Sequence, residues 1–95
     1  MAASESEQLA EISKRFIDLA NAMKDEGRST QVISAGLMSA STVYVTYVLA
    51  GNEGVLNQKG IDEVVNTYRQ QLARFQASKR EQLEQAAKKG SNGQS

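Results

Sequence analysis

Two acidic pairs in this 95-residue sequence are the first residues whose types suggest chemistry. Asp25 with Glu26, and Asp62 with Glu63, could serve as paired acids or as oxygen ligands for a hard cation. Neighbouring residues on a helix point in different directions, however, and neither pair has the spacing of a calcium-binding loop around it. The sequence therefore predicts no metal site, no cofactor and no catalytic pair of carboxylates.

A polar group beside an apolar helix stripe is the other candidate for chemistry. Asp18 and Asn21 lie about one turn apart, and with Arg69 they could line a polar cavity between the first and third predicted helices. This cluster supports the hypothesis of a small-ligand-binding or hydrolytic protein. The simpler interpretation is a solvated helix face on which Lys14 and Asp18, four residues apart, form a surface ion pair. We favour the simpler interpretation and predict that the protein is not an enzyme.

Phosphate recognition has little support from the glycines and the basic residues. The segment 51–54, Gly-Asn-Glu-Gly, lacks the lysine, the preceding strand and the spacing of a phosphate-binding loop. The basic doublets 79–80 and 88–89 could touch a nucleic-acid backbone. Acidic residues are interleaved with them, and no aromatic residue follows Phe75 to stack on bases. Weak nucleic-acid binding is therefore the third functional hypothesis.

The composition removes several classes of function. The 11 basic and 11 acidic residues cancel, so no overall field would attract nucleic acid or an anionic membrane. Cysteine and histidine are absent, which removes disulfides, thiolate nucleophiles and the usual ligands of transition metals. The acidic N-terminus lacks the basic and apolar regions of a secretory signal, so a cytoplasmic location is the expectation.

Glycines divide the proline-free chain into three long segments, as expected for helices with sharp ends. The first segment has apolar residues at alternating spacings of three and four, which predicts a helix from 5 to 26 with one apolar stripe. Ser4 and Glu7 have the spacing of a capping box, and Gly27 fits just beyond the last turn. The stripe consists of Leu9, Ile12, Phe16, Leu19 and Met23.

The third segment has the same rhythm and predicts a helix over 58–88. Its stripe consists of Ile61, Val65, Tyr68, Leu72 and Phe75. Asn57 would cap this helix, with a hydrophobic staple between Leu56 and Ile61. Beyond the stripe the apolar residues thin out and oppositely charged residues stand four apart, so we predict a solvated helix end. Residues 90–95 have nothing apolar to bury and are predicted to form a disordered tail.

The second segment, Thr30–Ala50, carries no charge, and 24 uncharged residues (29–52) separate Arg28 from Glu53. As a membrane span, its 21 residues would reach about 31 Å, the thickness of a hydrocarbon core. We reject a span because seven hydroxyl or amide side chains offset seven strongly apolar ones. A strand over 42–48 suits the β-branched and tyrosine composition there, but no other segment could pair with it.

A helix explains the uncharged segment better, because one spacing of three and four continues through its strand-like half. The main stripe consists of Ile33, Leu37, Ala40, Tyr44 and then Tyr47 or Val48. A second stripe, on the adjacent face, consists of Val32, Gly36, Ser39 and Val43. A helix that is contacted on two faces need not carry charge. We therefore predict that a helix over 30–50 is the central one, shielded by the other two.

Together these elements predict an all-α fold. We expect a three-helix up-down-up bundle that forms a single domain over residues 1–89, with an extended and partly solvated third helix.

Three segments of the chain resemble a bacterial family of short proteins, catalogued as domain of unknown function 3144. The segments that carry the resemblance are Phe16-Ile17-Asp18-Leu19-Ala20-Asn21, Val32-Ile33-Ser34-Ala35-Gly36-Leu37-Met38 through Tyr44, and Tyr68-Arg69. The resemblance spans roughly Arg15 to Leu72 and implies a small helical protein of bacterial origin, with no established activity. In the family pattern an arginine and an asparagine flank the aromatic residue that Tyr44 matches. Here Val43 and Val45 stand there, which indicates apolar packing.

The function predicted from the sequence is a non-enzymatic protein-interaction or structural module. The uncharged second helix has more apolar surface than two amphipathic neighbours can cover, so the predicted partner is another protein or a second copy in a homodimer. The residues assigned to the interaction surface are Asp18, Asn21, Val43, Val45, Tyr47 and Arg69.

Overall fold

The computed structural model describes residues 3–92, and this part of the chain is all-α. It contains three helices, α1 (Glu5–Asp25), α2 (Thr30–Ala50) and α3 (Gln58–Asn92), and no strand. The predicted starts are confirmed, and the predicted ends of α1 and α2 agree to within one residue. Helix α3 runs four residues past its predicted end, so 90–92 are helical where a disordered tail was predicted. The rest of that predicted tail lies outside the described residues.

The start of α1 is fixed by the predicted cap. The Ser4 hydroxyl accepts a hydrogen bond from the backbone N–H of Glu7 at 3.1 Å and donates to the Glu7 carboxylate, also at 3.1 Å. Glu5 and Glu7 place negative charge in the first turn, where the helix dipole favours it. The spacing of a serine and a glutamate thus located this end correctly.

A Schellman motif around Gly27 ends α1. The N–H of Gly27 donates to the Lys24 carbonyl at 2.9 Å, and the N–H of Arg28 donates to the Met23 carbonyl at 3.2 Å. Gly27 has φ 92°, a conformation that costs glycine little because it has no Cβ. Only Glu26–Ser29 separates α1 from α2, and the two helices contact each other.

Helix α2 includes the segment for which a strand was the alternative. Ser29 caps it, accepting from the N–H of Val32 at 3.5 Å. In the strand-like half, the Thr42 hydroxyl donates to the Ser39 carbonyl and the Thr46 hydroxyl donates to the Thr42 carbonyl, both at 2.7 Å. These bonds satisfy the hydroxyl donors within the helix itself, so β-branched threonines are accommodated in it.

The connection from α2 to α3 begins at a glycine in a conformation that other residues rarely adopt. Gly51 has φ 80° and ψ 177°, and its N–H donates to the Tyr47 carbonyl at 2.9 Å. At the far side of the connection, the side-chain oxygen of Asn57 accepts a hydrogen bond from the Gly60 N–H at 2.8 Å. The backbone carbonyl of Asn57 accepts a hydrogen bond from the Ile61 N–H at 3.0 Å. Asn57 is therefore the cap of α3, as predicted.

Replacing Asn57 with alanine is expected to destabilise the first turn of α3 by about 1 kcal/mol, because the Gly60 N–H loses its acceptor. The measurement is helix content by circular dichroism during thermal denaturation. Asn66→Ala is the matched control: Asn66 is exposed inside α3, where alanine is the better helix former. A loss of stability in both variants alike would show that the Asn57 cap is not the cause.

The chain divides into two structural units, one up to Gly54 and the other from Val55 onward. The first contains α1 and α2, and the second contains α3. Within residues 3–90 no side chain is buried in the single chain. A few residues are half-buried, including Ala20 in α1 and Ile33 in α2, on either side of the connection between these helices. The single domain over 1–89 stays a prediction.

Candidate interaction surface

The apolar stripe of α1 faces outward in the single chain. Phe16 is 53% exposed, Leu19 is 61% exposed, and even Met23, next to the connection with α2, is 38% exposed. The stripe has the residues and the spacing that were predicted, and its helix is properly capped at both ends. Contact between α1 and α2 therefore leaves most of this apolar surface in water.

Helix α2 exposes apolar side chains around its whole circumference. On the main stripe Tyr44 is 69% exposed, and on the second stripe Val32 and Val43 are each 69% exposed. A helix that is apolar on all sides requires cover on all sides. Helix α1 does not supply it, so α2 is the largest unsatisfied apolar element in the first unit.

Helix α3 carries its apolar stripe along one side. Val65 is 50% exposed, Tyr68 52%, Leu72 48% and Phe75 63%. One helix cannot bury its own stripe, because residues three and four apart line up on the same face. Like the stripe of α1, the stripe of α3 is therefore mostly exposed in the single chain.

An open groove lies at the C-terminal end of α2. It encloses about 480 Å³. Its lining residues are Thr42, Val43, Thr46, Tyr47, Gly51, Asn52 and Gly54. Two of the residues predicted for the interaction surface, Val43 and Tyr47, are thus brought together, one turn apart. The other lining residues, two threonines and residues of the loop over 51–54, were not assigned to a surface from the sequence. The sequence signal for this loop is the pair of glycines that follows the apolar end of the helix.

The second valine of the predicted surface differs in exposure from the other two apolar residues assigned to that surface. Val45 is half-buried, whereas Val43 and Tyr47 are exposed. The ring centroids of Tyr44 and Tyr47 lie 6.3 Å apart with their planes tilted by 40°, a favourable aromatic contact between two adjacent faces of α2. The structure therefore separates Val45 from the outward-facing residues of this end of α2.

The polar members of the predicted surface are solvated. Asp18 receives a hydrogen bond from the Lys14 ammonium at 2.8 Å, and the two side chains are 57% and 75% exposed. Such i, i+4 pairs contribute only about 0.3 to 0.5 kcal/mol. Asn21 on α1 and Arg69 on α3 are also exposed. A catalytic or ligand-binding cluster of Asp18, Asn21 and Arg69 stays a prediction.

Groups of acidic residues able to hold a metal ion do not occur in the part of the chain that the structure describes. The chain was also compared with known proteins. No family model, no curated protein and no solved structure matches it.

By length and composition, α2 could also cross a membrane. It has 21 residues, and its most apolar 18-residue window has a mean hydropathy of 1.5 with none of that window buried. The core helix of a soluble protein passes the same test. The two alternatives predict different partners for α2, lipid acyl chains or protein side chains.

Proposed function

We propose that this chain is a non-enzymatic helical interaction module that covers its apolar faces by associating with protein, and with a second copy of itself in the first instance. The observation that supports this function is the exposure of the large apolar side chains on all three helices. Among the large apolar side chains that are exposed, Met23 is 38% exposed, and others on the helices reach 69%. The helices have local caps, and their apolar stripes are exposed, so association would bury those stripes in a shared core.

The free energy available from covering these side chains is large. Fully burying one valine, leucine, isoleucine, phenylalanine or methionine contributes roughly 1.5 to 3 kcal/mol. These side chains are already about half covered, so five of them would contribute about 4 to 8 kcal/mol, which is comparable to the stability of a small domain. Solvated ion pairs such as Lys14–Asp18 contribute far less. Association through apolar faces is therefore the interaction that this surface favours.

In the proposed arrangement the three helices run up-down-up and their main stripes face one another. The apolar stripes of α1 and α3 each lie on one side of the helix, so one neighbouring helix can cover each stripe. Helix α2 has a second apolar face, and that face remains for a partner. The third helix extends beyond its stripe into a solvated end, where oppositely charged residues stand four apart in the sequence.

Multi-angle light scattering over a concentration series from low to high micromolar tests this proposal. We expect the mass per particle to rise from one chain toward two, while the fluorescence of an apolar-surface dye falls as the faces become covered. Helix content should stay constant by circular dichroism, because the helices have local caps. A strict monomer that binds no dye at high micromolar concentration would refute the proposal, since it would have no uncovered surface to offer.

A further inference from the structure

We propose that α2 pairs antiparallel with α2 of a second copy, through one defined face of the helix. This inference rests on the proposed function and names the partner surface. The face, called the pairing face below, consists of Val32, Gly36, Ser39, Val43, Tyr47 and Ala50. These residues recur at spacings of four and three, so they share one side of an α-helix. Val32 and Val43 are 69% exposed and Tyr47 is 52% exposed.

Side-chain size along the pairing face indicates the orientation. Centring an antiparallel pair near Ser41 places Gly36 opposite the partner's Tyr47, Ser39 opposite the partner's Val43, and Val32 opposite the partner's Ala50. Each layer of that pair then combines a large side chain with a small one. The twofold symmetry of the dimer makes each of these three layers occur twice. Interdigitated large and small residues pack without voids.

A parallel pair would lack this complementarity. It would place Tyr47 against the partner's Tyr47 and Gly36 against the partner's Gly36, so wide and narrow layers would alternate along the seam. The wide layers would be overpacked and the narrow layers would leave cavities, both of which destabilise an interface. The size pattern therefore favours the antiparallel orientation.

The charges at the two ends of α2 favour the same orientation. Arg28 precedes the helix and Glu53 follows it, with no charge between them. In the antiparallel pair each Arg28 lies beside the partner's Glu53, and the twofold symmetry makes two such contacts. In a parallel pair like charges would meet at both ends. Arg28 also contacts Glu26 at 3.2 Å, and its side chain is 67% exposed, so it is accessible to a partner.

The open groove at the C-terminal end of α2 can receive a side chain of the partner helix. Val43 and Tyr47 belong both to the groove lining and to the pairing face. Because the partner runs antiparallel, its Val32 arrives at this end of α2, next to Ala50. An exposed valine entering an open apolar recess buries surface on both sides.

A protein partner fits this face better than a lipid one. Acyl chains would make little apolar contact with Gly36 and Ser39, whereas a matched helix fills the space beside these small residues. The absence of charge on α2 is compatible with either environment. Lipid insertion is therefore an outcome that the experiment must separate from self-association.

The central test adds bulk at Gly36. Apart from its two chain neighbours and the nearby backbone of its own helix, no atom of the described residues lies within 4 Å of a Cβ built on Gly36, so the single chain has room there. Gly36→Tyr should weaken association by about tenfold to a hundredfold, because the new ring meets the partner's Tyr47. Gly90→Tyr is the matched control: Gly90 is also helical and equally free of neighbours among the described residues. It should leave association unchanged.

A size exchange makes the test specific. In Gly36→Tyr with Tyr47→Ala, each layer again combines a large residue with a small one, so association should return to within a few-fold of the unaltered chain. Sedimentation velocity over a concentration series gives the dissociation constants. Failure of the exchange to restore association, with all variants equally helical by circular dichroism, would overturn the antiparallel pairing.

Orientation is tested with introduced thiols, since the chain has no cysteine of its own. Arg28→Cys and Glu53→Cys chains are mixed and oxidised mildly. We expect the mixed disulfide to dominate over the two homodisulfides. Predominant homodisulfides would indicate a parallel pair and overturn the proposal.

The outcomes separate this inference from the proposed function. Association that survives Gly36→Tyr would overturn the pairing face and leave self-association intact. A monomer without dye-binding surface would overturn both. Co-sedimentation with neutral phosphatidylcholine vesicles, together with loss of self-association in solution, would assign α2 to lipid and overturn the inference.

Discussion

Gly54→Ala is expected to disrupt the C-terminal end of α2 and to lower the free energy of unfolding by at least about 2 kcal/mol. A Cβ at Gly54 would collide with the backbone carbonyl oxygen of Ala50 and lie 2.9 Å from its carbonyl carbon. Backbone atoms cannot rotate away as a side chain would, so the connection must shift. Chemical denaturation at one fixed protein concentration measures the loss, because association also changes the apparent stability.

Gly51→Ala should be destabilising for a different reason. Apart from its two chain neighbours, no atom of the described residues would touch its Cβ, but φ 80° with ψ 177° is a conformation that is essentially limited to glycine. We expect a cost of about 1 to 3 kcal/mol. Gly90→Ala is the control, because Gly90 is helical and alanine is the better helix former. Equal stability of the Gly54→Ala and Gly90→Ala variants would contradict the geometry of this connection.

Leu72→Ala is expected to destabilise the associated protein by about 2 to 5 kcal/mol. In the single chain Leu72 is 48% exposed. At that exposure a truncation would change stability little, but the proposed assembly buries the α3 stripe to which Leu72 belongs. The expected loss therefore measures burial that arises only when the helix stripes are covered. Chemical denaturation at a concentration where the unaltered chain is associated provides the value.

Leu83→Ala is the matched control for this prediction. Leu83 is also on α3 and is 61% exposed, but it lies beyond the stripe, in the solvated end of the helix. Its truncation should change stability by no more than about 0.5 kcal/mol. If Leu72→Ala were as mild as Leu83→Ala, the α3 stripe would not be part of a core, and the proposed arrangement of the helices would be wrong.

The helices and their ends were predictable because their signals are local. Ser4 and Asn57 each bond to a backbone N–H three residues later, and Gly27 supplies a positive φ within one turn of the helix end. Such bonds depend on residues within a few positions of one another, so the sequence contains them in full. The end of α3 was missed because residues 90–92 have nothing apolar to bury and were assigned to the tail, whereas the helix continues to Asn92.

The strand-like half of α2 shows which of two local signals prevailed. Thr42 and its neighbours have β-propensity, but the apolar spacing of three and four continues through them, and that spacing agrees with the observed helix. The hydroxyl bonds of Thr42 and Thr46 to preceding carbonyls were not predicted from composition. They show how a segment rich in β-branched residues satisfies its polar groups as a helix.

The candidate surface was only partly predictable. Val43 and Val45 were assigned to it together, yet Val43 is 69% exposed and Val45 is half-buried. The two residues are two positions apart, which on a helix separates their directions by about 200°. Residue type alone does not distinguish them, whereas the helix geometry does.

The sequence by itself determined three helices, their caps and the apolar stripe on each, because these properties follow from residue type and short spacing. The tertiary structure decided which apolar residues are covered and where the backbone passes close to itself. It placed the Gly54 backbone against Ala50, completed a groove beside Val43 and Tyr47 with residues of the following connection, and left the stripes of α1 and α2 mostly exposed. These features depend on the path of the backbone through the connections and on contacts between elements, and no short sequence pattern contains them.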